Sequence, residues 1–210
     1  MISPTSGLLP PLPSGSMLSL ESPGWSYGTG GLLWPSAVGL TRYLSRTDAC
    51  RGRACIELGT GTGAVGLFAA ASGAASAILT DGKESVLKLA RRNGQANKHL
   101  LTSSLAFKHY NWGDAPPVEN EGPPRLVLGS DVTYFRAAHE NLCQSLCDLL
   151  RDQRDYALLA HQHRSFLGVR PQLEAFMRHA NGHHLHVTKV HTDTSHTAPV
   201  DILRITRITL

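Results

Sequence analysis

Residues 53–63 read Arg53-Ala54-Cys55-Ile56-Glu57-Leu58-Gly59-Thr60-Gly61-Thr62-Gly63, an apolar run delivered straight into three alternating glycines. The run over 54–58 predicts a buried strand. Glycines at its end let the chain turn sharply and let a ligand approach the backbone closely. Residues 64–72 then predict a helix of small side chains, with Val65, Phe68 and Ala69 on one face. Strand, glycine turn and helix together form the opening unit of an α/β sheet.

Outward from this unit the same alternation continues. Upstream, Pro35 suits the first turn of a helix that carries Trp34, Val38, Thr41 and Leu44 at helical spacing. Downstream, a strand over 77–81 leads to a helix over 84–98, acidic at its start and basic towards its end, as the helix dipole prefers. A short strand is expected near 105–108, a Pro/Gly/acid surface loop over 113–124, and an uninterrupted apolar strand over 126–129. Leu142, Leu146, Leu149 and Leu150 mark the next helix, and 156–160 the next buried strand. Val169, Leu173, Phe176, Met177 and Ala180 stripe another helix. Two strands, 184–190 and 200–208, close the chain with no helix between them. The expected fold is α/β, a seven-strand Rossmann-like sheet, mostly parallel, with a terminal antiparallel hairpin. Ligands of such sheets bind at the carboxyl ends of the strands.

Composition narrows the function classes. The chain has 210 residues, 41% hydrophobic and 17% charged, enough to bury one substantial core. Twenty basic against 16 acidic residues give a net charge of +4, and no Lys/Arg run exceeds Arg91-Arg92. Nucleic-acid binding needs a concentrated basic face, so the composition supports it only weakly. Cys50, Cys55, Cys143 and Cys147 lack the Cys-x-x-Cys spacing of a zinc knuckle. They read as reduced thiols of a cytosolic or nuclear protein. No apolar run approaches the roughly 20 residues that span a bilayer. Residues 1–24 lack a basic start, and Pro10, Pro11 and Pro13 interrupt their apolar stretch, so they read as a flexible N-terminal tail rather than a signal peptide. Residues 25–210 form the expected domain, taken to be a monomer.

The glycine loop alone leaves its ligand open. Gly59, Gly61 and Ala64 also satisfy the G-x-G-x-x-G/A dinucleotide fingerprint, with Asp81 about where a ribose-binding acid belongs. Glu57 argues otherwise, because it sets a carboxylate where a pyrophosphate wants no negative charge. A sulfonium cofactor with an amino-acid tail tolerates or uses that carboxylate. The terminal hairpin and the segment around Asp131 favour the methyl donor S-adenosylmethionine over NAD as well. Asp81 can accept both ribose hydroxyls, or serve only as a helix N-cap. Trp112 follows the third strand, where it can pack on an adenine ring or merely edge the core. Ser130-Asp131-Val132-Thr133-Tyr134 ends the fourth strand at the same cleft. There Asp131 and Tyr134 can both point at a substrate, or be an N-cap and a packed ring. His161 and His163, and the cluster His183, His184 and His186, have strand-like spacing and read as surface histidines rather than metal ligands.

In this order, Trp34-Pro35-Ser36-Ala37, the loop from Glu57 to Gly63, Asp81, Trp112-Gly113 and Gly129 to Tyr134 resemble lysine methyltransferase family 16. These are seven-strand protein methyltransferases with an Asp/Glu-x-x-Tyr signature. The resemblance runs from about Gly30 to the C-terminus. It implies that Trp34 and Trp112 line the cofactor pocket and that Gly59, Thr60 and Gly61 pass under the methionine part. It further implies that Asp81 takes the ribose, that Ser130 lies near the adenosine, and that Asp131 and Tyr134 shape the substrate site. Ser130 departs from the alanine common in the family. The implied partner is a protein carrying a lysine acceptor. Histidine, arginine or small-molecule acceptors are the alternatives, as is a non-catalytic scaffold, against which the intact Glu57, Asp81 and Asp131 count.

Overall fold

The computed structural model describes residues 8–118, 121–151, 153–163 and 172–208. Seven strands form one sheet: β1 (Ala54–Leu58), β2 (Ser76–Asp81), β3 (Ser104–His109), β4 (Arg125–Ser130), β5 (Tyr156–Gln162), β6 (Leu185–Asp193) and β7 (Val200–Arg207), in the order β3-β2-β1-β4-β5-β7-β6. The first five run parallel, and β7 enters antiparallel between β5 and β6. The closing hairpin and the crossovers through α2 (Ala64–Ala71) and α3 (Glu84–Ala96) follow the expected pattern. β3 and β6 each extend beyond the apolar stretches that announced them, because their outer residues carry polar side chains at the sheet edges.

Side chains alternate across the sheet as the pleat requires. Cys55, Ala77, Leu79, Leu126, Leu128 and Leu158 face a core shared with α1 (Pro35–Ser45) and α2. Ile56, Leu58, Val127, Ala157, Leu159 and Ile205 face the opposite core, built with α4 (His139–Leu149) and α5 (Gln172–Gly182). Val169, expected on the α5 stripe, lies outside the described residues. Leu58 is in register with Thr80 on one side and Gly129 on the other. The three central strands therefore end level, and the glycine loop, Asp81 and the segment after Ser130 emerge at one edge.

The expectation of a flexible N-terminal tail does not hold for residues 8–24, and residues 1–7 lie outside the described part. Leu9, Leu12, Leu18 and Leu20 are buried in the α1/α2 core. Asn93 on α3 and Asn97, the residue that follows its end, replace a missing strand neighbour for this strap. Ser19 N–H donates to Asn97 Oδ1 (2.9 Å), and Asn97 Nδ2 donates back to Ser19 O (2.7 Å). Glu21 N–H donates to Asn93 Oδ1 (2.7 Å), and Asn93 Nδ2 donates to Glu21 O (3.1 Å) and to Thr62 O (2.8 Å). Prolines made the stretch look unstructured, yet two buried amides satisfy its backbone at a helix surface.

Candidate active site

A cavity of about 550 Å³ opens at the carboxyl ends of β1, β2 and β4. All ten residues singled out above lie on its wall: Trp34, Glu57, Gly59, Thr60, Gly61, Asp81, Trp112, Ser130, Asp131 and Tyr134.

The floor is the glycine loop. Gly59 turns at φ +65°, and a Cβ there would stand 3.2 Å from Val132 and 3.4 Å from the Trp112 ring, so only glycine lets the three segments close together. Glu57 is buried, pointing from β1 towards α2. Its Oε2 accepts the Thr60 hydroxyl (2.5 Å) and the Gly66 N–H (3.0 Å). Gly66 sits inside a helix because a Cβ there would fall 2.7 Å from that oxygen. Glu57 Oε1 is buried with no hydrogen-bond partner among the described residues. Burial pushes the Glu57 carboxyl up to about 8, against the pull of the Thr60 and Gly66 hydrogen bonds.

Asp81 is not a helix N-cap. The helix begins at Glu84 after Lys83, with no side-chain cap. Asp81 Oδ2 accepts the Gly61 N–H (3.3 Å) and Oδ1 accepts the Lys83 N–H (3.0 Å), which ties the glycine loop to the turn before α3. Each oxygen keeps a lone pair for a further donor, and burial raises this carboxyl above its usual range. Trp34 is held by donation of its indole N–H to Thr29 O (2.9 Å) and stands edge-on to Trp25.

The segment after β4 forms the opposite wall. Asp131 adopts a left-handed backbone (φ 57°), is 6% exposed, and donates its N–H to Ala160 O at 2.9 Å. Asp131 caps no helix, since the turn that follows starts at Arg136 after Phe135. Tyr134 is not a packed core ring: it is 44% exposed beside Phe135, itself 58% exposed. Buried carboxylate and exposed aromatics thus meet at the cavity mouth.

Some of the wall carried no recognisable signal in the sequence. Thr29 and Gly30 come from the glycine-rich turn Gly24–Gly31, and Lys83, Asn111 and Asn141 from ordinary-looking polar positions. The reading of the paired histidines as surface residues fails for His161, which is buried behind Thr133, as is His139.

A family model described as lysine methyltransferase matches residues 14–183. The chain belongs to this family. The match starts in the buried strap, ahead of Gly30, where the resemblance alone placed it. Mouse protein N-lysine methyltransferase METTL21A is 34% identical over 122 residues, covering 57% of this chain and 55% of that protein. Calmodulin-lysine N-methyltransferase of Arabidopsis thaliana is 29% identical over 124 residues, 58% of this chain and 41% of that protein. Human histone-arginine methyltransferase METTL23 is 30% identical over 125 residues, 56% of this chain and 62% of that protein. The matches to the first two span about half the length of those proteins or less. Among solved structures, magnesium protoporphyrin IX methyltransferase from Synechocystis PCC 6803 with bound SAH superposes with a TM-score of 0.63 at 14% identity, covering 82% of each chain. That likeness establishes the Rossmann-like methyltransferase fold of this lysine methyltransferase family member.

Proposed function

We propose that this chain transfers a methyl group from S-adenosylmethionine to a lysine side chain of a protein. The observation that carries the reading is the pairing of Glu57 and Asp81 on one cavity wall. Glu57 offers a buried carboxyl whose Oε1 has no partner among the described residues. With its pKa raised to about 8 it gives up its proton to an arriving ammonium, whereas a pyrophosphate would oppose that ionisation. Asp81, one strand over, has lone pairs left for vicinal hydroxyls. The residues present therefore fit a cationic nucleoside carrying an amino acid.

When bound, the cofactor supplies an electrophilic methyl on a sulfonium. In this reading Gly59, Thr60 and Gly61 carry its amino-acid part, Asp81 its ribose, and Trp34, Trp112 and Ser130 the flanks of the pocket. The acceptor must arrive uncharged, and removing a proton from an ordinary lysine at pH 7 costs about 4–5 kcal/mol. Withdrawal from water into the cavity lowers that cost. A carboxylate at Asp131 favours the ammonium, so Asp131 docks and orients the amine and is not the base. Tyr134, at the mouth, lies against the aliphatic stem or hydrogen-bonds the amine. Alignment of nitrogen and methyl at near-attack distance then supplies much of the acceleration. Four free thiols accord with residence in the cytosol or nucleus, which belongs to the same reading.

Titration with S-adenosylhomocysteine tests the pocket. Asp81→Ala should weaken binding by roughly 10- to 100-fold through loss of charge-assisted hydrogen bonds. Unchanged affinity would remove Asp81 from the cofactor site.

A further inference from the structure

Behind the Asp131–Tyr134 segment lies a histidine arrangement that neither the motif nor the cavity explains. Thr133 is fully buried between Asp131 and Tyr134, and both of its outward polar atoms are taken by histidines. Its hydroxyl shares a 2.7 Å hydrogen bond with His161 Nδ1 on β5. Its carbonyl lies 2.8 Å from His139 Nε2 at the first turn of α4. A carbonyl only accepts, so His139 donates from Nε2. His139 Nδ1 is buried without a partner among the described residues, which fits a neutral ring carrying its single proton on Nε2. Burial, His179 and Arg136 all push the His139 pKa down, outweighing the Thr133 bond.

Each histidine is itself braced. The His139 ring stands edge-on to Phe176 and to His179 of α5, at 5.7 and 5.6 Å between centroids. The His161 ring stands edge-on to His163 at 5.5 Å, and His163 Nε2 reaches Asp201 Oδ2 on β7 at 2.8 Å. Asp201 is fixed in turn by the Thr192 hydroxyl (2.6 Å) and by Lys189 (3.6 Å), both on β6. Thr133 is thus anchored to β5, α4, α5 and the terminal hairpin together. The need for an anchor is visible two residues earlier. Asp131 holds a left-handed backbone (φ 57°), a conformation that aspartate tolerates better than most side chains but that still costs energy unless its surroundings hold it.

We propose that His139 and His161 are positioning residues that clamp Thr133 from both sides and so fix Asp131 and Tyr134 on the cavity wall for the acceptor. The acceptor role of those two side chains rests on the function proposed above, whereas the clamp itself does not. Neither histidine lines the cavity. They act through the backbone between them.

The full-length chain tests this in two arms. Hydrogen exchange by mass spectrometry, with and without S-adenosylhomocysteine, follows the amides of 131–135 against those of the glycine loop 57–63. Methyl transfer from labelled S-adenosylmethionine to whole-cell protein is measured in parallel. His139→Leu and His161→Leu should each speed exchange over 131–135 and lower transfer by about tenfold, the scale of one lost buried hydrogen bond. Exchange over 57–63 and affinity for S-adenosylhomocysteine should stay at wild-type values. His139→Gln keeps a donor near the Nε2 position and His161→Asn keeps a polar atom near Nδ1, so both should restore the segment and the turnover. Should a leucine variant fail to fold, Thr133→Val removes the hydroxyl at nearly constant volume and must loosen the same amides. Wild-type exchange over 131–135 in the leucine or valine variants overturns the clamp. So does an equal loss in the Gln and Asn variants, or a parallel loss of cofactor affinity. Wild-type protein that binds S-adenosylhomocysteine but labels nothing sinks the acceptor reading instead, and the exchange arm still decides the clamp.

Discussion

The Glu57 carboxylate is held against α2 with one oxygen satisfied and the other without a partner among the described residues, and burial lifts its pKa from 4.5 to about 8. Between those values the folded chain keeps a proton that the unfolded chain has released. Stability of the ligand-free protein therefore falls as pH rises through this window, and the full cost is present above about pH 8. Glu57→Gln should raise the thermal midpoint of the ligand-free protein at pH 8, with the gain vanishing near pH 5. The same variant should bind S-adenosylhomocysteine roughly tenfold or more weakly, because a charge-assisted contact to the cofactor ammonium is lost. Scanning fluorimetry across pH, beside calorimetry, reads both, and a midpoint that drops at pH 8 would contradict the account of Glu57. Asp131 and Tyr134 belong to the other wall. Asp131→Ala and Tyr134→Phe should leave affinity for S-adenosylhomocysteine near wild type while lowering methyl transfer, by about tenfold or more for Asp131. If calorimetry finds cofactor affinity falling as far as turnover, the division of roles between the walls is wrong.

Among elements, the strap over residues 8–24 is the one whose importance exceeds its appearance. Leu18 and Leu20 are among the most buried side chains of the chain. Either changed to alanine should cost about 2–5 kcal/mol, the range for leucine removed from a packed core. Denaturant unfolding of Leu18→Ala measures this, and a loss within experimental error would show that the strap is dispensable. Asn93 couples the strap to the site, since its amide also donates to Thr62 O in the glycine loop. Asn93→Ala should accordingly lower both stability and cofactor affinity, unlike Leu18→Ala.

Across the whole molecule, the elements that the sequence announces are those whose burial is symmetric. β1, β4 and β5 are covered on both faces and read as unbroken apolar runs, so their existence and order were plain. The closing hairpin followed from the absence of a helix between two strands. The ten candidate site residues meet at one cavity because a parallel sheet brings strand ends together, and the strand ends were legible. What escaped was held by side-chain hydrogen bonds that only the folded chain brings together. The strap depends on Asn93 and Asn97, more than seventy residues away in sequence, and prolines disguised its leucines. His139 and His161 lie 22 residues apart and converge on Thr133 only in the folded chain. The strand-like spacing of His161 and His163 gave no hint that His161 is buried.

Methyl transfer to a protein lysine can be read from the product itself. Wild-type and Asp131→Ala chains are incubated with S-adenosylmethionine carrying a labelled methyl and with whole-cell protein, and the modified residue is mapped by mass spectrometry. Label should appear on a lysine side-chain nitrogen with the wild type and be strongly reduced with Asp131→Ala. Label on arginine or histidine, or no transfer by a wild-type chain that binds the cofactor, would contradict it.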